Sequence, residues 1–320
     1  MKKHLIFQSL LILFLFTNMI FTFTAYAKAN DDSILYQVFN LASERTQDVQ
    51  FYIMESQFTN YSVNGERMSR DIYTVYLKHT PYKSEGNLND VYTCLKFTVK
   101  LDNTAETTIP NLQGWTYTLS NSPDGMDDKG QMLGIEHSKF ENLVDGYGNP
   151  FPPDKAYLIY NTFIDFHAIY SFCEKTNEGK GIQDLNRIGQ KIVHASAFSE
   201  APVNLGSHVA QGSMFKNGEI TLAFKGLSVV DDVKCAIVFF DSGESSFKMT
   251  MNPAPDMEIK TIGTSHYNGD IYIDLASNWI QRAVMEEVVV SETTLPFPPH
   301  KVNAVTERYT VLRNVSDVEF

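Results

Sequence analysis

The chain has 320 residues, 43% hydrophobic and 20% charged, with 18 Gly and 12 Pro, a composition that excludes both a disordered and a collagen-like polypeptide. With 38 acidic against 26 basic residues it argues against a nucleic-acid partner, and three cysteines in this length exclude a disulfide-dense scaffold. At roughly 150 residues per domain the length suggests about two domains, although an all-β unit can reach about 250.

The N-terminus carries an address. Met1-Lys2-Lys3-His4 is a basic head, Leu5 to Phe16 is almost wholly apolar, and Ala25-Tyr26-Ala27 offers a small-x-small cleavage site. Residues 1–27 are therefore predicted to be a signal peptide. An uncleaved anchor needs about 20 apolar residues. Leu5 to Ala27 reaches that length, but the cleavage site and the polar Thr17, Asn18, Thr22 and Thr24 favour removal. Losing Lys2 and Lys3 moves the formal net charge from −12 to −14. The mature protein is thus expected to be exported to the periplasm or the exterior, soluble and not stably inserted in a membrane, and repelled by anionic lipid surfaces.

Residues 28–150 read as an N-terminal β-rich half. Asp31-Asp32-Ser33 can cap a brief helix with Ile34, Val38 and Leu41 on one face. Asp48 to Ser62 turns to β character, and Asn64-Gly65 predicts a hairpin into Asp71 to Leu77. Further strands are expected near Val91 to Lys100, Gly114 to Leu119 and Gln131 to Ser138. Residues 151–181 form a linker and a helix. After Asn149 to Asp154, with its three prolines, Tyr157, Tyr160, Phe163, Phe166 and Tyr170 recur at helical spacing.

Residues 182–320 resume an antiparallel meander. Strands are expected at Lys191 to Phe198, Ser207 to Phe215, Glu219 to Val230, Val233 to Phe240, Ser246 to Met251 and Glu258 to Tyr267. Asn268-Gly269 predicts a second hairpin into Asp270 to Leu275, and Trp279 to Val290 and Val302 to Val315 complete the set. The fold class is therefore mainly β, a β-rich α+β arrangement of antiparallel meander sheets, curved and half-barrel-like, with one or two packing helices. No helix alternates regularly with the strands, which excludes doubly wound and β/α-barrel folds. The architecture of a signal peptide, long antiparallel strands and packing helices resembles the half-barrel of bacterial lipoprotein carriers.

Candidate chemistry is sparse. Asp165 and His167 form the densest polar pair inside an apolar stretch; on a strand they would share a face and could bind a ligand or metal, whereas on a helix they diverge by about 200°. Gly263-Thr264-Ser265-His266-Tyr267 makes Ser265 and His266 candidates, but Tyr267 stands where a nucleophile elbow needs a small residue. The mature histidines are scattered, Asp124, Asp127 and Asp128 lack an EF-hand order, and no phosphate-cradling loop occurs, so no metal or cofactor is expected. Paired carboxylates such as Glu286-Glu287 would point to opposite faces of a strand. Cys94 and Cys235 both lie in strand-like runs, so a bridge between them is allowed, with three small buried hydrophobes as the alternative.

The 22 Phe, 16 Tyr and 2 Trp either fill a core or line an apolar cavity. The leading expectation is a non-enzymatic exported protein that binds an apolar, lipid-like molecule or an envelope protein. The alternatives are a structural or interaction module of an envelope or surface assembly and a hydrolase whose residues converge only in three dimensions.

Overall fold

A computed structural model describes residues 34–42, 45–84, 87–118, 135–173, 180–202, 212–254 and 257–317. The signal peptide, the Asp31 to Ser33 cap, the Asp124 to Asp128 loop and residues 207–211 lie outside the described residues. The strands are β1 (Gln50–Tyr61), β2 (Arg67–Ser84), β3 (Asn87–Lys100), β4 (Thr107–Thr108), β5 (Thr116–Thr118), β6 (Lys191–Val193) and β7 (Glu200–Pro202). They continue as β8 (Met214–Lys216), β9 (Thr221–Val230), β10 (Val233–Asp241), β11 (Ser245–Ala254), β12 (Met257–Asp274), β13 (Ile280–Thr294) and β14 (Lys301–Val315). One long helix, α1 (Pro153–Ser171), lies between β5 and β6.

All fourteen strands among the described residues belong to one open antiparallel sheet ordered β4-β3-β2-β1-β14-β13-β12-β10-β9-β6, with β11, β8 and β7 added beside the first half of β12 and β5 beside β3. The mainly β class with a packing helix is thus the observed one. The first and last long strands are neighbours, Tyr52 opposite Asn314 and Phe58 opposite Arg308, so the N-terminal meander is zipped to the C-terminal one.

The sheet wraps the helix. Phe163 stacks on Phe97 of β3 at 5.7 Å, while Asp165, on the opposite flank, pairs with Arg308 of β14. Those strands stand three positions apart, about 14 Å in a flat sheet, against a helix only about 10–12 Å across. From Lys155 to Cys173 only Ala168 is exposed, and beside the sheet contacts Trp115 packs on Phe163 and Phe140 on Tyr160. Tyr157, Tyr160, Phe163, Phe166 and Tyr170 recur at three and four residues and line one broad side of α1, with Ile159 and Ile169 buried beside them. Pro153 in its first turn and Asp154 beside it start the helix.

Several expectations are corrected. Asn64-Gly65 is a hairpin, with Gly65 at φ +79°, but Asn268-Gly269 lies inside the continuous 18-residue β12. Gly269 serves a close approach: a Cβ there would sit 1.8 Å from the carbonyl oxygen of Val284 on β13. Gly269→Ala is therefore expected to cost about 3 kcal/mol by urea denaturation, and an unchanged midpoint would contradict that account. Described residues 135–138 are not strand but run into a short 3-10 turn at His137–Phe140. Only residues 191–193 of the expected Lys191 to Phe198 strand are paired, and residues 37–40 are not helical. In that segment Phe39 and Leu41 are buried while Val38 is 59% exposed, an extended alternation.

Cys94 and Cys235 are free buried thiols rather than a bridge. They sit on β3 and β10, separated in the sheet by β2, β1, β14, β13 and β12. Burial pushes the Cys94 thiol up to about 12 and that of Cys235 up to about 11, so neither is a nucleophile at neutral pH.

Candidate functional site

Strand register places a polar row across the inner face of the sheet where the helix-covered core ends. Asp71, Phe58, Arg308, Glu287 and Tyr267 are cross-strand neighbours from β2 to β12. Arg308 is buried and donates from Nη1 to Asp165 on α1 and from Nη2 to Glu287 Oε2 at 2.5 Å. Ser265 donates its hydroxyl to the other oxygen of Glu287. At the far end of the row Lys155, in the first turns of α1, donates to Asp71 Oδ2 at 2.6 Å. The helix is therefore tied to the sheet at one end and at the middle of this belt by ions that the aromatic core cannot solvate.

The two carboxylates share one guanidinium. Burial raises the Asp165 carboxyl to about 6, more than the Arg308 charge lowers it. Burial alone would lower the Arg308 guanidinium, but Asp165 and Glu287 hold it above its ordinary value, so it stays charged.

A second row lies one step further out, of hydroxyls and an amide interrupted by one valine. Asn60 Nδ2 donates to Ser69 Oγ at 3.0 Å, and Thr306 Oγ1 donates to Asn60 Oδ1 at 2.7 Å. Val289, Ser265 and Ser245 complete the row toward β11. Beyond it the same face turns mainly apolar, with Thr261 and Thr293, hydrogen-bonded to each other at 3.0 Å, as its hydroxyls. Phe215, Phe247, Met249, Met251, Met257 and Ile259 point inward by register and are all half-buried, not sealed. Gly263 makes room for the Phe247 ring, whose Cζ would lie 2.5 Å from a Cβ there. Its neighbours in the row, Ser291 and Ala304, are also small, so the trough continues across β13 and β14.

A separate buried cluster lies deeper, under the last turns of α1. Tyr92 stacks on His79 at 4.5 Å and on Tyr117 at 5.5 Å, with the edge of His167 at 4.7 Å. His167 Nε2 and the Tyr117 hydroxyl are hydrogen-bonded at 2.8 Å, and His79 Nε2 stands 2.9 Å from Asp90 Oδ1. Tyr52 and Tyr170 share a 2.6 Å hydroxyl contact, and the Arg45 guanidinium lies 5.1 Å from the ring centres of both Tyr170 and Trp279. Burial lowers the His167 imidazole to about 3, and it lowers His79 more than Asp90 raises it, so both are neutral at pH 7.

The sequence candidates are thus distributed. Asp165 joins the Arg308 belt and His167 joins the tyrosine cluster, on opposite flanks of α1, so they do not act together. Ser265 faces inward to Glu287, whereas His266 faces outward to Asp241 at 3.0 Å and is half exposed. Among the described residues no histidine side chain is hydrogen-bonded to that serine. Among the described residues no group of three or more His, Cys, Asp or Glu is placed to hold a metal, and no helix is long and apolar enough to cross a membrane. Arg308, Glu287 and Asn60 escape a reading by motif because pairing register alone unites them. The available signal is Arg308 itself, a charge at an inward position of β14 between Thr306 and Thr310.

No family model matches the chain, and no curated protein matches it. Among solved structures, a mutant Rh. blastica porin is 9% identical with a TM-score of 0.21, covering 84% of this chain and all 100% of the porin. A DUF1329 family protein from Desulfovibrio piger is 7% identical at 0.15, over 85% of this chain and 90% of that one. The CymD monoaromatic hydrocarbon channel is 6% identical at 0.12, over 87% and 94%.

Proposed function

We propose that this is an exported, non-enzymatic β-rich protein of the cell envelope that binds an apolar, lipid-like ligand on the inner face of its sheet. The supporting observation is the trough beyond the polar belt, where Phe215, Phe247, Met249, Met251, Met257 and Ile259 stay half-buried on a face whose aromatic part is sealed under α1. Methionine side chains are flexible and polarizable, so such a wall adapts to a chain of methylenes better than a rigid core would. The leader-like N-terminus and the acidic mature chain favour a soluble envelope protein over one resting on an anionic membrane.

A lysine in the trough has to desolvate or exclude the ligand. Met249→Lys is expected to weaken binding of an apolar fluorescent probe such as N-phenyl-1-naphthylamine at least tenfold. Val290→Lys, on the outer face at a residue 51% exposed, should leave probe binding unchanged. Equal binding by both variants and the parent would remove the trough as the site.

A further inference from the structure

The inner face is ordered by polarity along the strands. The sealed aromatic core comes first, then the ionic row, then the hydroxyl and amide row, then the apolar trough. A chain lying in the trough has one end at the belt and the other near Met257, eight residues along β12 from Ser265, about 26 Å at strand rise. The half-buried groups at the inner end are Thr306, Asn60 and Ser69, which supply hydroxyl and amide contacts. Gly263, Ser291 and Ala304 leave space between that row and the Phe247 ring.

The charge at that end is unequal. Lys155 balances Asp71, but Arg308 faces both Asp165 and Glu287, leaving the belt one carboxylate in excess. An anion brought to the inner end meets this excess in a partly dehydrated site, where charges act more strongly than in water. A hydroxyl or an ammonium meets acceptors. Resting on the apolar-ligand reading above, we propose that the ligand is a single-chain amphiphile with a neutral or cationic head. Its chain lies along Phe247, Met249, Met251 and Ile259, and its head lies at Thr306, Asn60 and Glu287.

The test is calorimetric titration of the mature protein, below micelle formation at pH 8, with three probes of one chain length: dodecyl maltoside, dodecyltrimethylammonium and dodecanoate. The first two are expected to bind saturably at one per chain, at least tenfold tighter than dodecanoate. Glu287→Gln should narrow that gap severalfold. Should it fail to fold, Thr306→Glu, at a half-buried position, should widen the gap instead. Dodecanoate binding as tightly as the others overturns the head assignment while leaving the apolar trough in place. Failure of all three to bind, or a dimer in solution that buries this face, overturns both.

Discussion

Arg308→Met is expected to destabilise the fold by about 3–5 kcal/mol, because it leaves Asp165 and Glu287 as two buried carboxylates without a cation. Asp165→Asn should behave differently. Burial already holds the Asp165 carboxyl up to about 6, so its charge at pH 7 is carried at a cost that an uncharged amide avoids. Asn also keeps the hydrogen bond to Arg308 while Glu287 keeps the ion pair, and the expected loss is below about 1 kcal/mol. Urea denaturation midpoints of the two variants separate these outcomes. Equal losses would mean that the belt is not a shared-cation triad.

The second large effect is on pH. His79, His167 and His194 are buried with their imidazoles depressed by desolvation, His167 to about 3 and His194 to about 4. Unfolded histidines take up protons near pH 6.5 while these folded ones do not, so stability falls as pH drops below that value. Asp165 works in the opposite sense: its folded carboxyl is protonated near 6, above the unfolded value, so it contributes stability that appears as pH falls through that point. His167 and His194 bind two protons more in the unfolded chain and Asp165 one more in the folded chain, a net of about one, and His79 adds to it in the same direction. Stability should therefore drop by at least about 1.4 kcal/mol per pH unit between about pH 6 and 4.5. His167→Gln, which cannot titrate, should remove roughly one proton from that slope. A flat stability profile from pH 7 to 5 would contradict the neutral buried histidines.

Most strands were legible because alternation and turn residues agree: Asp231-Asp232, both with positive φ, close the β9–β10 hairpin, and Asn278 at φ +60° turns β12 into β13. Asn268-Gly269 misled because the same dipeptide serves two purposes. Glycine permits a positive φ in a turn, and it also permits contact with a neighbouring backbone inside a strand. Spacing alone separates neither use. The aromatic helix was legible from its period, and with it the divergence of Asp165 from His167.

The belt was not legible. Arg308 meets Glu287 through the β13–β14 register and Asp165 through the packing of α1, and neither relation leaves a local pattern. Glu286-Glu287 was readable only as a pair pointing to opposite faces of a strand, and the structure does bury Glu287 while exposing Glu286. His79 and Tyr92 likewise stack because β2 and β3 pair them.

The site on the inner face can be tested most directly by photo-crosslinking the mature protein with a dodecyl chain that carries a diazirine near its end and a maltoside head. The label should fall on the peptides that hold Met249, Met251 and Ile259. Labelling spread over the outer face at Ile262, Val288 and Val290, with those inner positions spared, would contradict it.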